Sequence, residues 1–150
     1  VALFCTIQSV DSLALAQELN KQCEKAAKTM PILLEVNVAG EASKFGYAPA
    51  RVLAEFAELS RLPRLEVHGL MTIAPYTPTP ERVRPVFGRL RELRAECEQL
   101  LGAPLPQLSM GMSGDFEVAI EEGATLVRIG TLLFGARPKP VKALKSEAGE

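Results

Sequence analysis

Apolar residues in this chain fall into two alternating kinds of segment. Short runs of strand length, rich in aliphatic and β-branched residues, recur at residues 2–7, 32–38, 65–71, 108–112 and 125–129. Between them, apolar positions repeat at helical spacing. Asp11 or Ser12 offers an N-cap to a helix carrying Leu13, Ala16, Leu19 and Cys23 and reaching about Lys28, with Pro31 closing the segment. Pro49 stands at a first helical position ahead of Val52, Leu53, Phe56 and Leu59, and Pro63 ends that stripe. The longest stripe comprises Val83, Val86, Phe87, Leu90, Leu93, Cys97 and Leu100. Pro85 delays its regular start and Gly102 closes it as a left-handed cap. Residues 113–115 cap a short helix with Phe116, Ala119 and Ile120 inside and Gly123 at its end. Residues 40–47 and the Pro-rich 75–80 are loops, and the Lys, Glu, Pro and Ala composition from residue 138 predicts a frayed tail.

The resulting order is βαβαβαβαβ. Its strands are apolar runs rather than strict alternations, which predicts parallel strands covered by helices. That pattern suits either a doubly wound sheet or an arc of a (β/α)8 barrel. At 150 residues the chain is well short of the roughly 250 that a whole barrel needs. It begins on an apolar run without an initiator Met, so upstream sequence is expected.

Composition mainly excludes. With 17 basic residues against 18 acidic ones and no basic block, nothing predicts a nucleic-acid or membrane-surface partner. Trp is absent and aromatic residues make up 5%, so base stacking has little to work with. Cys5, Cys23 and Cys97 are odd in number and scattered, which predicts free thiols and a cytoplasmic setting. No apolar run approaches the length of a membrane span. His68 is the only histidine, so neither a zinc site nor a Ser-His-Asp triad can be assembled from these residue types.

Parallel α/β folds place ligands at the carboxyl ends of their strands. Two such ends are rich in chemistry: Ser109-Met110-Gly111-Met112-Ser113-Gly114-Asp115 and Val127-Arg128-Ile129-Gly130-Thr131. In the first, a serine hydroxyl stands at a helix start, where free amides attract an anion. In the second, Gly130 and Thr131 can turn amides toward that anion without a side chain intervening. Alternation puts Arg128 on the same face as Gly130, where an inward guanidinium needs a partner. The plainer reading makes Ser113 an N-cap and pairs Arg128 with Glu121 or Glu122.

The motifs LSMGMS at 108–113, VRIGTLLFGAR at 127–137, EVNVAGEASKFG at 35–46 and VHGLMTI at 67–73 resemble successive motifs of the pyridoxal phosphate homeostasis family, in order and over nearly the whole chain. The last-placed motif is also similar to the matching stretch of alanine racemase barrels. The resemblance implies a TIM-type (β/α) barrel, with residues 1–137 its C-terminal part of about five strands and 138–150 a flexible tail. It implies pyridoxal 5′-phosphate as cofactor, with Ser113 and the Gly130-Thr131 amides on the phosphate, Arg128 at the pyridine nitrogen and Met71 against the ring. The lysine that forms the Schiff base is implied on a first barrel strand upstream of Val1. Lys44 reads as a solvated loop residue and Asn37 as structural. Gly114 stands where many relatives have a second acid. By the same resemblance the complete protein is a monomeric carrier or buffer of the cofactor rather than an enzyme. A racemase-like enzyme lacking its second domain and a phosphosugar-binding barrel are the alternatives.

Overall fold

The computed structural model describes residues 1–41 and 45–136, so Lys44 and the expected tail boundary lie outside the described residues. Five strands, β1 (Ile7–Val10), β2 (Met30–Glu35), β3 (Leu65–Met71), β4 (Gln107–Met112) and β5 (Leu126–Arg128), form one sheet in chain order, with every pairing parallel. The crossovers are α1 (Leu13–Lys25), α2 (Pro49–Leu59), α3 (Arg84–Leu101) and α4 (Phe116–Glu121). A 3-10 turn over Pro80–Val83 leads into α3, and a last turn of helix, α5 (Thr131–Phe134), follows β5. Of the two arrangements that the strand–helix alternation allows, this is the barrel arc, the one the resemblance implies.

The expected punctuation holds at most ends. The Ser12 side chain accepts from Leu15 N at the start of α1, Pro49 opens α2, and Gly102 closes α3 at φ +71°. Two expectations fail. The apolar run at 2–7 is not a strand: Leu3 and Phe4 are exposed, and β1 is the mixed sequence Ile-Gln-Ser-Val that follows. Apolarity misleads there because this strand lends a polar side chain to the concave face. Pro31 does not close α1 but sits second in β2, at the strand's entry, where a missing amide is tolerated.

One apolar cluster fills the space between sheet and helices. Val10, Ile32, Leu34, Leu70, Leu108 and Met110 point into it from the strands, against Ala16, Val52, Phe56, Phe87, Leu90 and Ala119 from the helices. Ile120 is not part of it: that side chain is exposed, and Val118 is buried in its place. Leu33, Glu35, Met71 and Ser109 are buried yet lie outside this cluster, on the other face.

Bulges decide which side chains reach that other face. Ile32 pairs with Val67 while Leu33 pairs with Gly69, so His68 is an extra residue and parity along β3 flips. Leu70 therefore joins the helix side, and Met71 turns concave. A further shift lies between Ser109 and Met112 of β4, where Gly111 takes φ +92° and a Cβ would meet the Ala119 Cβ at 2.6 Å. Only a glycine lets α4 close on the sheet there.

Candidate functional site

Gln8 of β1, Glu35 of β2, Thr72 just past β3, Ser109 of β4 and Arg128 of β5 bring polar groups to the concave face. Arg128 leaves β5 and is half-buried. Its Nη1 donates to Ser109 Oγ at 2.7 Å and its Nη2 to the Thr72 carbonyl at 2.8 Å. Ser109 Oγ in turn donates to Gln8 Oε1 of β1 at 2.7 Å. Thr72 Oγ1 donates to the Val36 carbonyl at 2.7 Å, tying the end of β3 to the end of β2. In a flat sheet β1 and β4 stand three strand spacings apart, about 14 Å. A direct bond from Gln8 to Ser109 exists only because the five strands curl into an arc.

Burial pushes the Arg128 guanidinium below its ordinary pKa, and the carboxylates of Glu35 and Asp115 work the other way. Glu35, at the end of β2, is pushed up by burial and by Asp11, and Arg128 offsets part of that. The plainer pairing for Arg128 does not occur, because Glu121 and Glu122 bind Arg84, and Glu122 also binds Arg91. Those two acids thus fasten the end of α4 to α3.

At the rim beside Arg128, the Ser113 hydroxyl accepts from Gly130 N at 3.2 Å and from Leu132 N at 3.1 Å. Ser113 is therefore no cap for α4, whose N-cap is Asp115. The Asp115 carboxylate accepts from Met112 N instead. Two backbone donors and one hydroxyl converge on a single point, and the hydroxyl keeps its own hydrogen for an acceptor. A Cβ at Gly114 or Gly130 would meet nothing within 4 Å, so the approach to this point is open. A cavity of about 350 Å3 adjoins it, lined by Ile73, Tyr76, Met112, Ser113, Gly114 and Thr131 among others. Backbone amides and a hydroxyl at a turn of this kind are the donors that bind anions.

The structure thus brings Ser113, Gly130 and Thr131 together and holds Arg128 inward. Met71 lies on the same concave side, in register with Ser109. The second turn amide comes from Leu132, one residue beyond the expected Thr131, because α5 begins there and exposes its first amides. Gln8, Thr72 and Ser109 complete the layer: Thr72 and Ser109 lie inside the motifs at 67–73 and 108–113 without a role having been expected of them, and Gln8 lies outside all four motifs. The available signal is a polar residue within a strand that the sheet buries, and Ser109 shows it best, being fully buried. His68 instead pairs with Glu66 at 3.2 Å, away from this layer, and Asn37 braces its own loop through both backbone groups of Glu41. Among the described residues no group of three His, Cys, Asp or Glu side chains could hold a metal, and no helix is long and apolar enough to cross a membrane.

Residues 5–138 match the family described as alanine racemase, N-terminal domain. The chain is 53% identical over 131 residues to the pyridoxal phosphate homeostasis protein of Aquifex aeolicus, covering 87% of this chain and 58% of that protein. Its counterpart in Pseudomonas aeruginosa is 48% identical over 136 residues, covering 89% and 56%. The chain thus spans a little over half the length of these relatives. Among solved structures, PipY of Synechococcus elongatus with PLP bound superimposes with a TM-score of 0.82 at 38% identity, over 90% of this chain and 63% of that one. An alanine racemase of Clostridium difficile shares the fold, with a TM-score of 0.71 at 17% identity over 90% of this chain and 35% of that one.

Proposed function

The chain belongs to the alanine racemase N-terminal domain family, and from that premise we propose that the concave mouth of its sheet holds pyridoxal 5′-phosphate for a cofactor-carrying and buffering role in the cytoplasm. The observation that carries this reading is the convergence of Ser113 Oγ with the Gly130 and Leu132 amides beside an inward Arg128. The hydroxyl and the two amides take the phosphate, with Thr131 alongside. Met71 packs against the ring, and Arg128 meets the ring nitrogen. The names of the relatives and the PLP bound to PipY point to the same ligand.

When bound, this cofactor supplies an aldehyde that condenses with amines and a ring that withdraws electrons. The residues present restrain that chemistry. Arginine only donates hydrogen bonds and stays protonated, so beside the ring nitrogen it disfavours a proton there and weakens the ring as an electron sink. Substrate turnover also needs a placed acid or base. Tyr76 is exposed on the loop, Tyr47 is buried in the helix-side core and His68 pairs with Glu66. Among the described residues, this distribution favours holding the cofactor over turning over a substrate.

The test is a titration of the full-length polypeptide with pyridoxal 5′-phosphate, followed by the cofactor's absorbance. Borohydride reduction and peptide mapping then locate any attached lysine. Saturable binding that inorganic phosphate competes away, without racemisation of amino acids, is the expected result. Retention of a sugar phosphate without any cofactor signal would replace this reading with that of a phosphosugar-binding barrel. Racemase activity would replace the carrier role with an enzymatic one.

A further inference from the structure

We infer that Gln8 and Ser109 are positioning residues that aim the Arg128 guanidinium at the ring of the ligand, a role that rests on the cofactor reading above. Ser109 is fully buried and stands in register with the apolar Met71 of the neighbouring strand. An apolar residue would fill that place at lower cost, since a buried hydroxyl stabilises little unless each of its groups is satisfied. Here they are satisfied in a fixed direction. Arg128 can only donate, so the bond between Nη1 and Ser109 Oγ uses a lone pair of the serine. The serine hydrogen must then go to an acceptor, and Gln8 Oε1 lies 2.7 Å away. If the Gln8 carboxamide were flipped, its NH2 would face the hydroxyl, leaving the serine hydrogen between two donors. The orientation of Gln8 therefore follows from the donor-only nature of Arg128 and needs no observed hydrogen.

This relay sets the plane of the guanidinium. Nη1 is held from β4 and Nη2 by the Thr72 carbonyl beyond β3, so two anchors on different strands oppose rotation about the last side-chain bonds. A guanidinium has five N–H donors, and these two bonds leave the other three for a ligand. Gln8 acts at one remove, because without its oxygen the Ser109 hydroxyl can rotate and point its hydrogen at the guanidinium. The relay reaches from β1 to β5, the two edges of the sheet. Curvature of the whole arc is thereby coupled to the aim of one side chain.

The experiment uses the full-length polypeptide with pyridoxal 5′-phosphate labelled with 15N at the ring nitrogen. The variants are Ser109→Ala, Ser109→Thr, Gln8→Leu and Gln8→Glu. In the wild type the ring-nitrogen resonance should stay at its unprotonated, hydrogen-bonded position as the pH is lowered. Ser109→Ala and Gln8→Leu should let that nitrogen take up a proton at a higher pH and weaken cofactor binding roughly tenfold. Binding of inorganic phosphate, held at Ser113, should not change. Ser109→Thr and Gln8→Glu keep the hydroxyl and the acceptor and should restore the resonance. Resonance and affinity unmoved in both disruptive variants would overturn the inference. So would a loss of thermal stability and of phosphate binding together, unrescued by the conservative variants, since that marks a structural role alone. A wild-type protein that ignores the cofactor removes the functional reading itself, an outcome visible before any variant is made.

Discussion

On the helix side of the sheet, strand residues such as Val10, Ile32, Leu34, Leu70, Leu108 and Met110 are apolar and sealed to within 1% exposure. On the concave side, the strands present Gln8, Glu35, Thr72, Ser109 and Arg128 along with two buried apolar residues, Leu33 and Met71. Both faces belong to the same strands, so the contrast is one of purpose. The first face contributes stability through burial of apolar area. The second carries a buried charge and hydroxyls whose desolvation their hydrogen bonds offset only in part, which is poor economy unless a ligand uses them. One face can tolerate any well-packed set of aliphatic residues, while the other needs particular atoms at particular points.

Substitutions can test this division, beginning with the largest expected effect. Phe87→Ala, at a fully buried helix-side position, should destabilise by about 3–5 kcal/mol in chemical denaturation. Gly111→Val should cost about 1–3 kcal/mol or more and lower phosphate affinity as well. Its side chain would displace α4 from β4 and carry the Ser113 loop with it. Ser113→Ala should change stability by less than about 1 kcal/mol while weakening phosphate binding roughly tenfold, measured by calorimetry. The triple variant Gln8→Met, Ser109→Ala, Arg128→Met should abolish cofactor binding yet unfold at the same or a higher denaturant concentration. A large loss of stability there would show that the concave layer is structural after all.

Thiol chemistry offers the mildest probe of the same contrast. Burial pushes the Cys97 thiol up to about 12, with the neighbouring carboxylates of Glu96 and Glu98 adding to the effect. The folded state thus favours the protonated thiol. Its contribution to stability is intact below an ordinary thiol pKa of 9.0 and is lost as the pH rises toward 12. A thiol reagent at neutral pH should therefore label the exposed Cys5 quickly and the buried Cys23 and Cys97 only on unfolding. Rapid labelling of Cys97 in the native state would show the helix side to be less sealed than its burial implies.

Helix stripes, proline and glycine punctuation and the parallel order were legible in the residues, because each is a local property of the chain. The third strand was legible to its ends, as were the N-cap at Ser12 and the left-handed Gly102. Ser113, Arg128 and Gly130 were legible as site candidates because they stand at strand ends. Gln8 was not: its strand is short and mixed, and the more apolar run before it drew the assignment. The Leu132 amide escaped too, because which backbone amides point at an anion depends on where α5 begins its first turn.

Periodicity and turn chemistry determine the elements and their sequence, since they depend on residues within a few positions of one another. Which side chains share the concave face is settled only on folding. The extra residue at His68 flips the parity of β3, so that Met71 rather than Leu70 turns concave. Gln8 meets Ser109 only because the sheet curls, which brings together residues 101 positions apart. No local pattern encodes curvature, which arises from the packing of every helix against the sheet at once.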